Sequence, residues 1–553
     1  MKYLPAASLV LWLGAAQAPQ TPVAAPTPPS PALSAPRENP TPALRAVAPR
    51  NAQEAAIRAH VAYLASDALQ GREAGSAGFD TAATYVAQQF AAAGLKPGAD
   101  GAFLQRVPLM KYQVAGEARA AINGAALKPG EDFVAAANPQ SARTDVGARV
   151  VFVGQGVSAP SRGHDDYAAV DVRGAIVALV GGAPADMQSE EHAYFASMRT
   201  KLQAAAAHGA VGAVLLAGGA KKARPIRAGG VQYGWATPEG TAFAPGVPLL
   251  GTLTDAGARK LFAGAGMTWD QARAEVNGKQ SFPPAALATT LKIESATAFT
   301  PVASSNVVGV LPGTDPARRG EVVVLSAHLD HIGVSKTPDA RGDRINNGAL
   351  DDAIGIASLI EEARRFQQRG AGKRTIVFLA VTAEEKGLVG SDYFVRHRPR
   401  GLENIVADVN LDMPVLTYAF SDVVAFGGDR STLGPVIARA ARGAGVVTSP
   451  DPIPEQTIFT RSDHFRFVEA GVPSVFLWPG LKGEGARAAF EDFMKNRYHQ
   501  EGDEVDAGIM WDQAVRFVDI NYAMAREIAD APTSPVWNKG DYFGTAFKGP
   551  MAR

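Results

Sequence analysis

The strongest constraint on the fold is the alternation, after Ser304, of short apolar runs with helical periodicity. One segment, Asp352 to Gln368, places its apolar residues on a single helical face. Strands that alternate with helices pair into a mostly parallel sheet that helices cover on both faces. The sequence therefore predicts an α/β fold with a mixed, mostly parallel sheet flanked by helices. The predicted strands are Val322 to Leu325, Ile376 to Val381, Ile405 to Leu411 and Val472 to Leu477.

Composition narrows the class of protein. The 553 residues exceed a usual single domain by roughly two-fold, so two or more domains are expected. A hydrophobic fraction of 46% with 20% charged residues is typical of a globular protein. Lys and Arg total 54, as do Asp and Glu, so no overall charge favours nucleic acid as a partner. The sequence contains no cysteine, so any metal must be bound by His, Asp and Glu.

Residues 1–18 have the layout of a secretory signal peptide, with Lys2, an apolar stretch and small residues ending at Ala18. Residues 19–50 are rich in Pro and Ala without apolar periodicity, which predicts a disordered linker. No other stretch approaches the ~20 apolar residues that cross a bilayer, so no integral membrane segment is expected after cleavage. We therefore expect an exported protein, either periplasmic or secreted.

The pattern of apolar residues changes twice along the remaining chain. Helical patterns occupy 53–66 and 79–93, whereas short Val, Ile and Leu runs between Gly and Pro predict a β-rich insert further on. The α/β domain is therefore expected to be built from two segments that flank the insert. The predicted division is an N-terminal part of the α/β domain at 51–134, the insert at 135–290, the main part at 291–530 and a C-terminal tail at 531–553.

Polar clusters follow the carboxyl ends of the predicted strands. Ligands of open parallel sheets bind in the crevice outside these ends, and neighbouring strands lie ~4.8 Å apart. The clusters can therefore converge on one site, which a random scatter of acids would not do. They are His328 with Asp330, Glu384 with Glu385, Asp412, Asp351 with Asp352 at the start of the predicted helix, and Tyr498 with His499 on a loop.

Five of these side chains are candidate metal ligands: His328, Asp351, Glu385, Asp412 and His499. Carboxylate oxygens and imidazole nitrogens without sulfur suit Zn²⁺, and the same donors accept Mn²⁺ or Co²⁺. Three carboxylates around one divalent ion leave excess negative charge, whereas two ions bridged by a carboxylate, about 3.5–4 Å apart, balance it. We therefore expect two metal ions per chain and metal-assisted hydrolysis.

Two further carboxylates are placed to assist this chemistry. Asp330 is expected to accept the second ring N–H of His328, which would fix the tautomer of that histidine. Glu384 is expected to take a proton from the attacking water and to deliver it to a leaving amine.

Each cluster also has a purely structural interpretation. An exposed His328 and Asp330 can form a surface pair, Asp351 and Asp352 can cap a helix, and Glu384 and Glu385 can form an acidic first helical turn. Their conjunction at one rim of one predicted sheet favours the metal site. The sequence assigns no role to His331 and His397, whereas His464, in the stretch 462–465, is a candidate for a residue behind the ligands or at the rim of the substrate site.

These stretches resemble the M28 family of co-catalytic zinc peptidases, which includes aminopeptidases and carboxypeptidases. The resemblance spans most of the chain that follows residue 66, in family order. The matching stretches are DALQGREAGSAG (67–78), AHLDHIG (327–333), NNGALDDAIGIA (346–357), FLAVTAEEKGLVGS (378–391), NLDM (410–413), SDHFRFVEAGVP (462–473) and YHQEGDEVD (498–506).

The resemblance implies the zinc exopeptidase fold, of the phosphorylase/hydrolase-like type, and a zinc ligand set. His328 and Asp412 would bind one zinc, Glu385 and His499 the other, and Asp351 would bridge the two.

The same resemblance implies roles for residues beside the ligands. Glu384 would be the general base, Asp330 would orient His328, and Tyr498 would donate to the developing oxyanion. The peptide bond between Asp351 and Asp352 would be cis.

The insert resembles a protease-associated (PA) domain in the stretches 151–160, 165–180 and 207–218. In relatives such a domain leans over the mouth of the active site, which favours short peptides over folded proteins as substrates.

The leading hypothesis is thus a co-catalytic di-zinc aminopeptidase that hydrolyses N-terminal residues of peptides, with Glu384 as general base. The alternatives are a carboxypeptidase or dipeptidase of the same family, a glutaminyl cyclase-like transferase with a single zinc, and a non-catalytic binding module. The sequence predicts neither the residue specificity nor the oligomeric state.

Overall fold

The computed structural model describes residues 48–217, 230–276, 284–506 and 508–553. The predicted signal peptide and nearly all of the predicted linker lie outside these residues. In the part of the chain that is described, no helix combines the length and the apolarity that crossing a bilayer requires.

The helices pack on the sheet through apolar faces. The segment predicted at 352–368 is confirmed, and its apolar residues, such as Leu359 and Phe366, are fully buried. The first helix begins after Asn51, whose side chain accepts a hydrogen bond from the backbone N–H of Glu54. In chain order the helices are α1 (Ala52–Leu64), α2 (Ala77–Ala92), α3 (Ser189–Ala196), α4 (Met198–Ala207), α5 (Asp255–Leu261), α6 (Trp269–Val276), α7 (Ile354–Arg369), α8 (Val389–Arg396), α9 (Leu433–Gly443), α10 (His464–Glu469), α11 (Ala486–Asn496), α12 (Trp511–Asp530) and α13 (Tyr542–Ala546).

The strands of the structure include one that overlaps each of the four predicted strands. In chain order they are β1 (Lys96–Pro97), β2 (Leu104–Ile122), β3 (Ala125–Ala126), β4 (Phe133–Ala135), β5 (Arg143–Phe152), β6 (Ser158–Ala159), β7 (His164–Asp165), β8 (Ile176–Leu179), β9 (Gly212–Leu216), β10 (Gln232–Trp235), β11 (Leu249–Leu253), β12 (Ala285–Leu311), β13 (Val322–His328), β14 (Thr375–Val381), β15 (Ile405–Leu411), β16 (Asp422–Phe426), β17 (Val447–Ser449) and β18 (Ser474–Pro479).

The predicted α/β fold class is confirmed. The strand order is β17-β16-β18-β15-β13-β14-β12-β5-β8-β9-β11-β4. At its centre β13 pairs in parallel with both β14 and β15, and β15 pairs in parallel with β18. The antiparallel pairs of β14 with β12 and of β16 with β18 make the sheet mixed. Because the four central strands run the same way, their carboxyl ends meet at one edge.

The long strand β12 joins the two parts of the molecule. Its C-terminal residues pair with β14, and its N-terminal residues pair with β5 of the insert. The insert has its own apolar clusters on the two sides of β8, one around Ile176 and one around Val177. Its described residues also form four helices, α3 to α6, besides strands. The predicted PA-type identity of 135–290 and the domain boundaries stay predictions.

The C-terminal residues pack onto the α/β part. The side chain of Trp537 is fully buried, and its indole N–H donates to the carbonyl oxygen of Gly471 at 2.8 Å. Phe543 of α13 is also fully buried. The segment predicted as a tail therefore contributes to the hydrophobic core.

Candidate metal centre

Three candidate ligands meet at the carboxyl edge of the sheet. His328 ends β13, Asp412 follows β15, and Asp351 lies just before α7. His328 Nε2 lies 3.1 Å from Asp351 Oδ1 and 3.3 Å from Asp412 Oδ1. All three residues are buried. The parallel strands thus bring together side chains that are far apart in the sequence.

A second group forms on the other oxygen of Asp351. His499 Nε2 lies 3.2 Å from Asp351 Oδ2 and 3.1 Å from Glu385 Oε2. Glu385 belongs to the turn between β14 and α8, and His499 to the segment after α11. Asp351 therefore presents one oxygen to each group, as a bridging carboxylate does. The peptide bond between Asp351 and Asp352 is cis.

His331, to which the sequence assigned no role, also faces this second group. It is completely buried, and its Nδ1 lies 2.8 Å from Glu385 Oε1 and 3.9 Å from Asp351 Oδ2. The ligand atoms of His331, Asp351 and Glu385 all lie within 4.8 Å of one another, as do those of His328, Asp351 and Asp412. The signal in the sequence was its position, three residues after His328 in the same stretch beyond β13.

The distances between ligand atoms fit a tetrahedral metal. Around a zinc ion with bonds of about 2.0–2.1 Å, neighbouring ligand atoms lie about 3.3 Å apart. The contacts of His328 with Asp351 and Asp412, and of His499 with Asp351 and Glu385, span 3.1–3.3 Å. Oxygen and nitrogen donors without sulfur are also the donors that zinc accepts. The residues present form two candidate metal sites that share Asp351.

The charges at this centre also fit bound cations. Burial by itself raises the pKa of Asp351, but contacts with His328, His331 and His499 hold that pKa well below its usual range. Burial raises the pKa values of Glu384 and Asp352 well above their usual range. The charge of His328 lowers these pKa values, and nearby acids such as Asp412 raise them further. The centre therefore contains more acids than its histidines neutralise, and a bound cation offsets that excess.

Asp330 contacts His328 through a different atom from the one predicted. The ring Nδ1 of His328 lies 3.0 Å from the backbone carbonyl oxygen of Asp330. The carboxylate of Asp330 instead accepts the backbone N–H of Glu384 at 3.0 Å. The predicted carboxylate–imidazole hydrogen bond is therefore wrong in its acceptor, because the chain turns after His328 and directs the side chain of Asp330 towards the turn after β14. Asp330 therefore still positions two residues. Its carbonyl oxygen holds His328, and its carboxylate holds the backbone of Glu384.

Glu384 lines a small cavity over the first metal site. His328, Asp351 and Asp412 line the same cavity, whose volume is about 50 Å³. Glu384 as a whole residue is half-buried. The structure thus places Glu384 beside the candidate ligands without assigning it to either ligand group.

Tyr498 closes one side of this cavity. Its ring stacks on that of His499, with centroids 3.9 Å apart. Arg461 Nη2 donates to the Tyr498 hydroxyl at 3.0 Å. Burial, together with the nearby acids Asp351 and Glu385, raises the pKa of Tyr498 above its usual range, so the phenol keeps its proton. The hydroxyl is therefore available as a donor to a group in the cavity.

Two buried residues that the sequence did not single out hold the ligand loops. The carboxylate of Asp503 accepts the backbone N–H groups of Leu350 and Asp351, each at 3.0 Å. The guanidinium of Arg72 donates to backbone carbonyls on both sides of the site, including those of Leu329 and Gly348. Both residues lie inside stretches that carry the family resemblance, but their roles depend on contacts across more than 150 residues of sequence.

Asp412 is held by a short chain of polar side chains. The hydroxyl of Ser462 donates to Asp412 Oδ2, and the amide of Asn410 donates to Ser462. All three residues are buried. This arrangement orients Asp412 so that its Oδ1 faces His328.

His464, next to this chain, is a core residue. Its side chain is completely buried, and its ring packs between Phe459 and Phe476 at centroid distances of 5.3 and 5.4 Å. Neither ring nitrogen has a hydrogen-bond partner among the described residues. Burial lowers the pKa of His464 to about 3, so the ring is neutral and apolar in character.

Comparison with known proteins agrees with this site. Residues 306–525 match the model of "Peptidase family M28". The "Aminopeptidase YwaD" of Bacillus subtilis (strain 168) is 28% identical over 232 residues, which are 40% of this chain and 46% of that protein. The "probable leucine aminopeptidase 2" of Aspergillus oryzae is 33% identical over 187 residues, which are 32% of this chain and 34% of that protein. The chain thus spans less than half the length of these curated relatives.

A solved structure supports the fold. The "Aminopeptidase from Aneurinibacillus sp. strain AM-1" is 20% identical and aligns with a TM-score of 0.50 over 86% of this chain and 94% of that one. At this identity the likeness concerns the fold alone. The family match covers β13, β14 and β15 with all five candidate ligands. Residues 306–525 are therefore similar to peptidase family M28, and the curated relatives that the chain resembles include aminopeptidases.

Proposed function

We propose that the protein is a co-catalytic di-zinc aminopeptidase that removes N-terminal residues from peptides. The observation that carries the proposal is the shared carboxylate of Asp351, whose Oδ1 faces His328 and whose Oδ2 faces His499. The names of the relatives, two of which are given above as aminopeptidases, support the choice of an aminopeptidase.

The ligand assignment that we propose follows the distances. His328 and Asp412 would hold one zinc, Glu385 and His499 would hold the other, and Asp351 would be a ligand to both. His499 is favoured over His331 because its Nε2 lies 3.2 Å from Asp351 Oδ2, whereas Nδ1 of His331 lies 3.9 Å from that atom. His331 then orients Glu385 through Oε1, the oxygen that His499 does not contact.

The residues around the cavity supply the proton transfers. When bound, the zinc ions supply Lewis acidity that polarises the scissile carbonyl and makes water a better nucleophile near neutral pH. The carboxylate of Glu384 takes the proton from the attacking water and delivers it to the leaving amine. The hydroxyl of Tyr498 donates to the oxygen of the scissile carbonyl as negative charge develops on it. Asp330 keeps the backbone of Glu384 in place.

The wall of the same cavity favours an apolar substrate side chain. Beside Glu384 and the candidate ligands, it is lined by Met413, Ile458, Phe476 and Trp478. These residues are largely buried, and the indole N–H of Trp478 is bound to the carbonyl oxygen of Met413 at 2.6 Å. An N-terminal residue with an apolar side chain would bury its surface against them.

A carboxypeptidase or dipeptidase is the second candidate, and Arg461 favours it. Its guanidinium lines the cavity beside Tyr498, where a cation would attract a substrate carboxylate rather than an N-terminal ammonium. A single-zinc transferase is less favoured, because two ligand groups share Asp351. Metal content per chain separates it from the di-zinc enzyme.

A panel of dipeptides tests the proposal. Peptides with free ends, blocked N-termini and blocked C-termini are assayed for hydrolysis with and without a chelator. We expect cleavage only when the N-terminus is free, and loss of cleavage with the chelator. Cleavage of N-blocked peptides alone would refute the aminopeptidase and support the second candidate.

The role of Glu384 is tested by Glu384→Gln. The substitution keeps the shape of the side chain but removes the base, so hydrolysis should fall by about 10²–10⁴-fold. Metal content, measured by plasma mass spectrometry, should stay at the wild-type value. Glu403→Gln, on the surface, is the matched control and should keep full activity. Full activity in Glu384→Gln would contradict the assigned role.

We also propose export to the periplasm or the medium, on the basis of the layout of residues 1–18. N-terminal sequencing of protein recovered from cell fractions tests this, and a chain that retains residues 1–18 in the cytoplasmic fraction would refute it.

A further inference from the structure

A second and larger cavity adjoins the metal centre from the side of Glu385. Its volume is about 430 Å³, which is within the range of ligand-binding cavities. Glu385 lines this cavity, whereas the preceding residue, Glu384, lines the small one. The two cavities share no lining residue, although at least one candidate ligand lines each of them.

The insert forms one wall of the larger cavity. In the antiparallel pair of β2 and β10, Tyr233 lies opposite Lys111. Side chains directly opposite in such a pair have Cβ atoms about 4.5–5.5 Å apart. The ammonium of Lys386, the residue after Glu385, lies 5.5 Å from the centre of the Tyr233 ring. The wall next to Glu385 therefore consists of three side chains that neighbour one another in the order Lys386, Tyr233, Lys111.

The two lysines of this wall differ in their charge balance. Lys386 Nζ pairs with Glu73 Oε1 at 2.8 Å, so its charge is compensated. Lys111 is half-buried and lines the cavity, and among the described residues it has no ion pair or side-chain hydrogen bond. A half-buried lysine that faces a cavity with an uncompensated charge attracts an anion there. In the substrate of a peptidase, the anion that every unblocked peptide carries is its C-terminal carboxylate.

We infer that the larger cavity binds the leaving-group side of the substrate and that Lys111 binds the C-terminal carboxylate of a short peptide. This inference rests on the proposed aminopeptidase function and extends it to a substrate class. Lys386 and Tyr233 separate Glu385 from Lys111, and an extended residue spans only about 3.3–3.6 Å. Two or three residues after the scissile bond therefore bring the carboxylate to Lys111, so tripeptides and tetrapeptides are the expected substrates.

The experiment compares leucyl-glycyl-glycine with its C-terminal amide. The two substrates differ only in the charge that Lys111 would contact. For the wild type, kcat/KM should be about ten-fold higher for the acid than for the amide, mainly through KM. In Lys111→Gln the value for the acid should fall to that of the amide, whereas the value for the amide should not change. Lys111→Arg should keep part of the preference, because it keeps the charge.

Two controls separate this inference from the function on which it rests. Leucine p-nitroanilide has no carboxylate, so Lys111→Gln should cleave it as the wild type does. Arg119→Gln removes an exposed cation from the same strand and should keep the preference for the acid. If the wild type cleaves the anilide but treats acid and amide alike, or if Lys111→Gln keeps the preference, the inference is overturned and the aminopeptidase stands. If the wild type cleaves none of these substrates, the proposed function itself fails.

Discussion

Two buried clusters of charge in this protein are balanced in different ways. Arg430 lies at the contact between the insert and the α/β part. Its Nη1 lies 3.3 Å from Glu190 Oε2, its Nη2 lies 2.8 Å from Glu191 Oε1, and its Nε lies 2.9 Å from Asp541 Oδ2. Arg162 adds a second contact to Glu191 at 2.6 Å. At the metal centre, by contrast, the side chains around Asp351 are acids and histidines.

The comparison shows how a structural and a functional cluster differ. In the interface cluster the positive charges of Arg162 and Arg430 balance the negative charges of the acids. These ion pairs, formed by residues of the protein alone, hold the insert against the α/β part. The metal centre leaves its excess of acid to be offset by ions from solution, and those ions bring reactivity with them. A buried charge that the protein does not balance is therefore the feature that marks the site.

The largest effect is expected from the carboxylate that both metal sites share. Asp351→Asn should lower the metal content from two ions to less than one per chain, because each group loses a ligand. Hydrolysis should fall by more than ~100-fold, since loss even of an outer-shell partner costs 10–100-fold. Plasma mass spectrometry and the dipeptide assay measure the two effects. Asp339→Asn, a loop residue outside the ligand groups, serves as control, and normal metal content in Asp351→Asn would remove the contrast between the clusters.

The interface cluster should respond in stability instead of metal content. Arg430→Met leaves buried acids without their partner, which typically costs about 3–5 kcal/mol in the free energy of unfolding. Denaturant unfolding measures this loss, and metal content should be unchanged. The control is Arg439→Met, whose exposed pair with Glu527 should contribute less than about 1 kcal/mol. If both variants lost the same free energy of unfolding, the buried pairs of Arg430 would stabilise the protein no more than an exposed ion pair does.

His60 is a third buried group, and the charged residue that shifts its pKa is the cation Arg364. Its Nδ1 is hydrogen-bonded to the Tyr85 hydroxyl at 2.7 Å, and burial, with Arg364 nearby, lowers its pKa to about 4. Between pH 6.5 and 4 the unfolded chain binds a proton that the folded chain does not bind, so stability falls as the pH falls. None of this stability is lost above pH 6.5. The loss in the free energy of unfolding is complete below about pH 4 and amounts to about 3 kcal/mol.

The pH dependence of unfolding tests this. His60→Gln should lack the loss of stability between pH 6.5 and 4 that the wild type shows. His397→Gln, at an exposed position, should keep it. A His60→Gln variant that loses stability as steeply as the wild type would show that burial of this ring does not control its charge.

The smallest effect distinguishes the two histidines at Glu385. His499→Gln should lose the second metal ion, whereas His331→Gln should keep both and bind the second one about 10–100-fold more weakly. Titration with zinc in a metal buffer measures both affinities. The reverse result would make His331 the ligand and His499 the residue that orients Glu385.

Local patterns in the sequence determine much of this protein. The strands β13, β14 and β15 and the helix α7 follow from runs and periods of apolar residues, which depend only on local spacing. Because parallel strands end at one edge, the order of elements along the chain suffices to assign the polar residues after them to one site. His328, Glu385 and Asp412 are assigned in this way, whereas Asp351 lies at the start of a helix and His499 on a loop; the five side chains do converge.

Tertiary structure alone decided which atoms meet. Asp330 contacts His328 through its carbonyl oxygen, His331 reaches Glu385, and Asp503 holds the backbone before Asp351. Such contacts depend on how the chain turns after each strand and on which distant segment packs there, and neither is encoded in local periodicity. The opposition of Lys111 and Tyr233 is set by the register between β2 and β10, over 100 residues apart in sequence. Residue types determined what chemistry the chain can perform, and packing between distant segments determined where each atom takes part.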